Sequence, residues 1–106
     1  MSITSKKVTT SITISGSSQQ SITASVMGRI DQLIMESSVA NQQIDLTLKN
    51  HTGLEIYKKE GLILNTIIND LRPNLLPMGP VTIILSNPLV VSGTITITFI
   101  EKERES

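Results

Sequence analysis

From Thr94 to Phe99 the chain reads TITITF, apolar and hydroxyl-bearing side chains alternating at every position. A period of two marks a strand with one buried face, because successive side chains leave a pleated backbone on opposite sides. Ile95, Ile97 and Phe99 are thereby assigned to a core, and Thr94, Thr96 and Thr98 to the other face. Val81, Ile83 and Leu85 repeat the spacing, with Ile84 making the centre of that run apolar on both faces. The two runs predict a β-hairpin, Pro80 to Glu101, that closes a small β-sandwich.

The same period recurs upstream. Val8, Ile12 and Ile14 alternate with Thr9, Ser11 and Thr13, with Thr10 on the inner face. The cluster Gly16-Ser17-Ser18-Gln19-Gln20 separates this run from Ile22, Ala24 and Val26, which predicts a second, Thr/Ser-faced hairpin. Gly28 to Met35 (GRIDQLIM) is open to two readings. Val26, Ile30, Leu33 and Ile34 fit helical spacing, whereas Gly28 costs about 1 kcal/mol inside a helix and Ser37-Ser38 offers no glycine cap, so a strand is preferred. Ser37 to Gln42 is then a turn, and Ile44, Leu46 and Leu48 form a clean strand.

Asn50-His51-Thr52-Gly53 is a turn in which glycine supplies positive φ and asparagine bonds its own backbone. Leu54 and Ile56 resume a strand that Tyr57 finishes before a charged break, Lys58-Lys59-Glu60-Gly61. Gly61 to Asp70 is apolar without a firm period, and Arg72 to Pro80 carries three prolines, which predicts an extended loop covering one end of the sandwich. The expected architecture is all-β: a small antiparallel β-sandwich of about seven strands over residues 8–101. A flexible polar N-terminal arm (1–7) and a charged tail (102–106) flank it.

Composition narrows the chemistry. Nine basic and nine acidic side chains cancel, so no general electrostatic pull on nucleic acid or anionic lipid is expected. No cysteine is present for a disulfide, a nucleophile or a thiolate metal site. The first residues resemble no signal peptide and no run approaches a membrane span, which predicts a soluble protein made intracellularly. His51 is the only histidine, and without a second His or a Cys a zinc site lacks ligands. Asn50-His51-Thr52 fits the glycosylation pattern, but a chain without a secretory signal does not meet that enzyme. Asp31, Glu36, Asp45, Glu55 and Asp70 are scattered, with no short spacing that sets two at one reacting bond. No Gly-rich phosphate cradle occurs. Two aromatics, Tyr57 and Phe99, are too few for the stacking platforms of sugar or single-strand nucleic-acid sites. The expectation is a non-enzyme with no catalytic residue, cofactor or metal. Leu89-Val90-Val91, after Asn87-Pro88, read either as strand tucked into the core or as an exposed knob for a partner, and the EKERE tail as a solvated end or a docking tail.

Several stretches are similar to a group of small proteins of tailed bacteriophages. They are Gly28-Arg29-Ile30, Ile44 to Leu48 (IDLTL), Gly53 to Ile56, Met78 to Leu85 with its Gly-Pro-Val-Thr-Ile, and Ser92 to Ile97. The similarity spans Ala24 to Glu101, about three-quarters of the chain. It implies an auxiliary, or decoration, protein of the virion: made in the host cytoplasm, β-rich, and assembled on the capsid exterior as a small oligomer that cements the shell. The implied partners are the major capsid protein and further copies of this chain, a trimer by the resemblance, with no nucleic acid and no membrane. Open Thr-rich sheet edges independently predict self-association. The candidate contacts are Leu89, Val90 and Val91 in the loop and Lys6 and Lys7 in the arm. The competing expectation is a ligand- or receptor-binding β-sandwich of a fibre or surface protein.

Overall fold

The computed structural model describes residues 3–26, 29–68 and 79–104, with side chains over 7–26, 30–68 and 80–101. Those residues form eight strands: β1 (Ile3–Ser15), β2 (Gln20–Val26), β3 (Arg29–Ser37), β4 (Gln43–Lys49), β5 (Glu55–Ile63), β6 (Thr66–Ile68), β7 (Gly79–Ser86) and β8 (Ser92–Arg104). They build two four-stranded antiparallel sheets, ordered β1-β8-β3-β6 and β2-β7-β4-β5. Sequence neighbours change sheet at every connection except β4 to β5. Two four-stranded sheets wound in this order are the jelly-roll form of the β-sandwich.

The all-β sandwich expected from the alternation is therefore present, with eight strands rather than about seven among the described residues. The two predicted hairpins are not. β7 and β8 lie in opposite sheets, as do β1 and β2. Alternation says which face of a strand is buried, and both sheets bury the same kind of face, so it carries no information on pairing. What pairs with β8 is β1 on one side and β3 on the other.

The core lies between the sheets and is almost wholly aliphatic. Leu33, Ile95, Ile97 and Phe99 reach into it from one sheet, and Leu46, Leu48, Ile83 and Val81 from the other, all fully buried. Strand, not helix, is the outcome for the ambiguous segment from Arg29 onward; Gly28 lies outside the described residues. Its helical-looking spacing has a cause. The register with β8 shifts between Ile30 and Gln32, so Asp31 is an extra residue and Ile30, Leu33 and Met35 all face the core.

The charged break at Lys58–Gly61 is also strand. β5 runs through it with a bulge: Ile44 pairs with Leu62 but Leu46 with Lys59, leaving Glu60 and Gly61 opposite Asp45. Gly61 takes the left-handed position of that bulge, φ 64°. The apolar stretch after it divides between the end of β5 and the short β6, with Leu62, Leu64 and Ile68 buried. The proline-rich loop predicted over Arg72 to Pro80 lies outside the described residues up to Met78.

Backbone pairing extends into the expected arm and tail. Residues 3–7 belong to β1 and residues 102–104 to β8, and the two strands pair without interruption from Ile3↔Arg104 to Ser15↔Ser92. Polar sequence signals low burial, not absence of pairing; a neighbouring strand satisfies the backbone whatever the side chains are. The outward face of this pair carries a hydroxyl ladder, with Thr9 Oγ1 3.4 Å from Thr98 Oγ1 and Ser11 Oγ 3.2 Å from Thr96 Oγ1. Glu101 continues the inward series of Ile95, Ile97 and Phe99 and is fully buried.

Candidate functional site

The β1–β2, β3–β4, β5–β6 and β7–β8 connections gather at one end of the sandwich, tied by backbone hydrogen bonds. Gly16 N–H donates to the Val91 carbonyl at 2.9 Å, Leu64 N–H to Gln42 at 2.9 Å and Leu89 N–H to Gln43 at 2.8 Å. At this end Ser38 N–H also donates to the Thr94 carbonyl, and the Thr94 N–H returns to Ser38 Oγ at 2.8 Å.

The β7–β8 loop, Asn87 to Val91, is the focus. Leu89 is 65% exposed and Val91 49%, while Pro88 is buried and Val90 half-buried. The alternatives left open for Leu89-Val90-Val91 are thus divided between residues: two side chains point out, and the residue between them is held. Gln42 does the holding. Its side chain, 1% exposed, donates from Nε2 to the Val90 carbonyl at 2.7 Å and accepts the Val90 N–H on Oε1 at 2.9 Å. The amide thus acts like one further peptide unit of a strand beside the loop, satisfying its own buried polar atoms as it does so.

Asp45 secures the start of the loop. One carboxylate oxygen accepts from Asn87 Nδ2 at 2.7 Å and the other from the Gly61 N–H at 2.9 Å. These two hydrogen bonds, the Asn87 one foremost, hold the Asp45 carboxyl below its ordinary value against an opposing desolvation, with the nearby Lys58 charge the least of the contributions. A carboxyl lowered by folding stabilises above its unfolded value, 3.8, and that contribution fades as pH falls through the folded value. Wild-type urea midpoints should accordingly stay level with pH near neutrality and drop below pH 3.8, whereas Asp45→Asn lowers the neutral-pH midpoint and flattens part of the acid slope. An unchanged slope in that variant contradicts the pinning role.

Ile63 joins the site without having been predicted. It is 66% exposed and is the cross-strand partner of Gln43, whose carbonyl receives the Leu89 N–H. Its signal was faint: an apolar residue between Leu62 and Leu64, both buried, must face outward in a period-two strand. Leu89, Val91 and Ile63 give this end an apolar surface on a rigid support.

Lys6 and Lys7 are elsewhere. They lie on β1 opposite Glu101 and Ile100, eight or more positions from the Ser15 end, or about 26 Å along the strand. Lys7 is exposed; the Lys6 side chain lies outside the described residues. The structure therefore does not bring the two sets of candidate contacts together.

His51 is exposed in the β4–β5 turn. That turn is organised by Asn50, whose Oδ1 accepts from the Thr52 N–H at 3.0 Å, the Thr52 hydroxyl at 2.7 Å and the Leu54 N–H at 3.0 Å. Glu36 and Glu55 are exposed, Asp31 sits at the β3 bulge, and Asp70 lies outside the described residues. Among the described residues no group of three or more His, Asp or Glu side chains is placed to hold a metal ion, and no helix is long and apolar enough to cross a membrane. No protein-family model matches the chain, and no curated protein does either.

Proposed function

We propose that this protein is a bacteriophage virion structural protein, an auxiliary or decoration protein on the capsid exterior that cements the major shell through its β7–β8 loop. The observation that carries this reading is the pinned loop: Leu89 and Val91 are exposed while the backbone between them is clamped by Gln42. Ordering a loop on binding costs free energy, and a loop already ordered avoids most of that cost. Exposed aliphatics grouped on a rigid scaffold are the usual makings of a protein contact. The jelly roll supports the reading because viral shells use it widely, although the fold also serves lectins and cupins and so does not choose alone. The resemblance of the Ala24 to Glu101 segments to small tailed-phage proteins favours the capsid reading. In the competing reading, a sugar- or receptor-binding module, aromatic stacking would be expected, yet Phe99 is fully buried and Tyr57 packs half-buried against the core.

The major capsid protein is the proposed partner and the host cytoplasm the site of synthesis. Quantitative mass spectrometry of purified particles tests this. The chain should be present at a copy number comparable to the major shell protein; a handful of copies moves it to the neck, tail or fibres, and absence overturns the proposal.

A further inference from the structure

A second glutamine at the loop end binds backbone as Gln42 does. Gln20 opens β2, and its half-buried side chain turns back across the β1–β2 connection to the outer edge of β1. With the amide oriented so that both polar atoms find partners, Nε2 donates to the Thr13 carbonyl at 2.6 Å and Oε1 accepts the Ser15 N–H at 3.3 Å. Backbone groups two residues apart leave a strand on the same side, so one amide spans the pair as a residue of a neighbouring strand would. Among the described residues β1 pairs only with β8, and at this point a side chain, not a strand, finishes its other edge.

The capped strand end carries the β7–β8 loop. Ser15 is the last rung of the β1–β8 ladder, opposite Ser92. Gly16 follows at φ 95°, and its N–H donates to the Val91 carbonyl at 2.9 Å. Packing does not fix this corner: Gly16 to Gln19 are all exposed, and a Cβ at Gly16 would meet nothing within 4 Å. Hydrogen bonds must do so. We infer that Gln20 is a positioning residue for the β7–β8 loop: by capping the end of β1 it fixes Gly16, and through Gly16 it sets where Val91 is presented. The inference rests on the capsid reading for what the loop does, and adds that two glutamines from different connections hold it. Gln42 binds both backbone groups of Val90 directly, whereas Gln20 acts at one remove, on the strand end that holds the Val91 carbonyl.

Amide hydrogen exchange of the wild type, Gln20→Ala and Gln20→Glu tests this, together with cosedimentation with particles stripped of the protein. In Gln20→Ala the Gly16 amide, which exchanges by local opening of the strand end, does so about ten-fold faster, the worth of the lost hydrogen bonds. A loss of global stability alone instead speeds core amides such as Ile97 and leaves Gly16 at the wild-type rate. Gln20→Glu carries its own rescue. At neutral pH its carboxylate cannot donate to Thr13, and Gly16 exchanges as fast as in the alanine variant. Below the ordinary glutamic acid value of about 4.3 the neutral carboxyl regains a donor, and Gly16 protection returns to that of the wild type at the same pH. Gln20→Ala also weakens attachment to the shell about three- to ten-fold, because the loop must then be ordered on binding. Unchanged Gly16 exchange in Gln20→Ala overturns the inference, and so does faster exchange with undiminished attachment. A wild type that binds no shell overturns the capsid reading instead, and the exchange result alone then decides whether Gln20 positions the loop.

Discussion

Gln42→Leu should destabilise the domain by about 2–4 kcal/mol, a large share of a small domain's stability. Leucine keeps most of the volume, so little of the loss is a cavity. What disappears is the pair of hydrogen bonds to Val90, at 2.7 and 2.9 Å, leaving the Val90 N–H and carbonyl without the partners that the fold supplies. Each orphaned buried group costs about 1–3 kcal/mol, and water reaching the half-buried Val90 keeps the sum below the maximum. Urea denaturation gives the value directly, provided the slope is unchanged. Hydrogen exchange adds a positional readout: the Val90 amide should lose its protection before the core strands do. A loss under about 0.5 kcal/mol would mean that the remaining ties at Asn87, Leu89 and Val91 hold the loop without Gln42.

The second large effect is on binding rather than folding. Changing Leu89 and Val91 together to Asp should weaken attachment to the shell at least about 100-fold, roughly 3 kcal/mol, while leaving the melting temperature nearly unchanged. Both side chains are substantially exposed, 65% and 49%, so the isolated domain gives up little by replacing them. In a contact the same positions lose their apolar burial and bring two carboxylates into a desolvated surface, and the second cost exceeds the first. Val90 is the internal control. It is half-buried against the body of the protein, so substituting it disturbs folding and reports nothing about the partner.

Much of this structure was legible in the sequence, and the part that was not has physical causes. TITITF and IDLTL declared their buried faces because period-two alternation encodes a face directly. They did not declare their neighbours. Ile95 and Ile83 carry the same signal in opposite sheets, so the nearest strand in sequence was taken for the pairing strand, and the jelly-roll winding stayed hidden. Asp31 and Gly61 each insert one residue into a strand, which moves the alternation out of phase and made one segment look helical and the other broken. The β7–β8 loop was legible as three apolar residues after a turn signal, but not its division into two outward side chains and one clamped backbone. Gln42 was illegible altogether: a glutamine in a polar turn reads as surface, and only the crossing of β3 to β4 beneath the β7–β8 loop makes it the most buried polar side chain of that end. The arm illustrates a different limit. Thr, Ser and Lys report low burial, and they carry no signal of the backbone pairing with β8 that runs from Ile3 to Ser15.

The proposed function has the preorganised β7–β8 loop, presented by a jelly roll, hold a capsid shell. Cosedimentation of purified protein with particles stripped of it measures that directly, comparing the wild-type chain with the Leu89→Asp, Val91→Asp variant. The account predicts saturable binding of the wild type at a stoichiometry set by the shell lattice, and at least about 100-fold weaker binding of an equally stable variant. Equal binding of the two chains, both folded, would contradict it and place the contact on another surface.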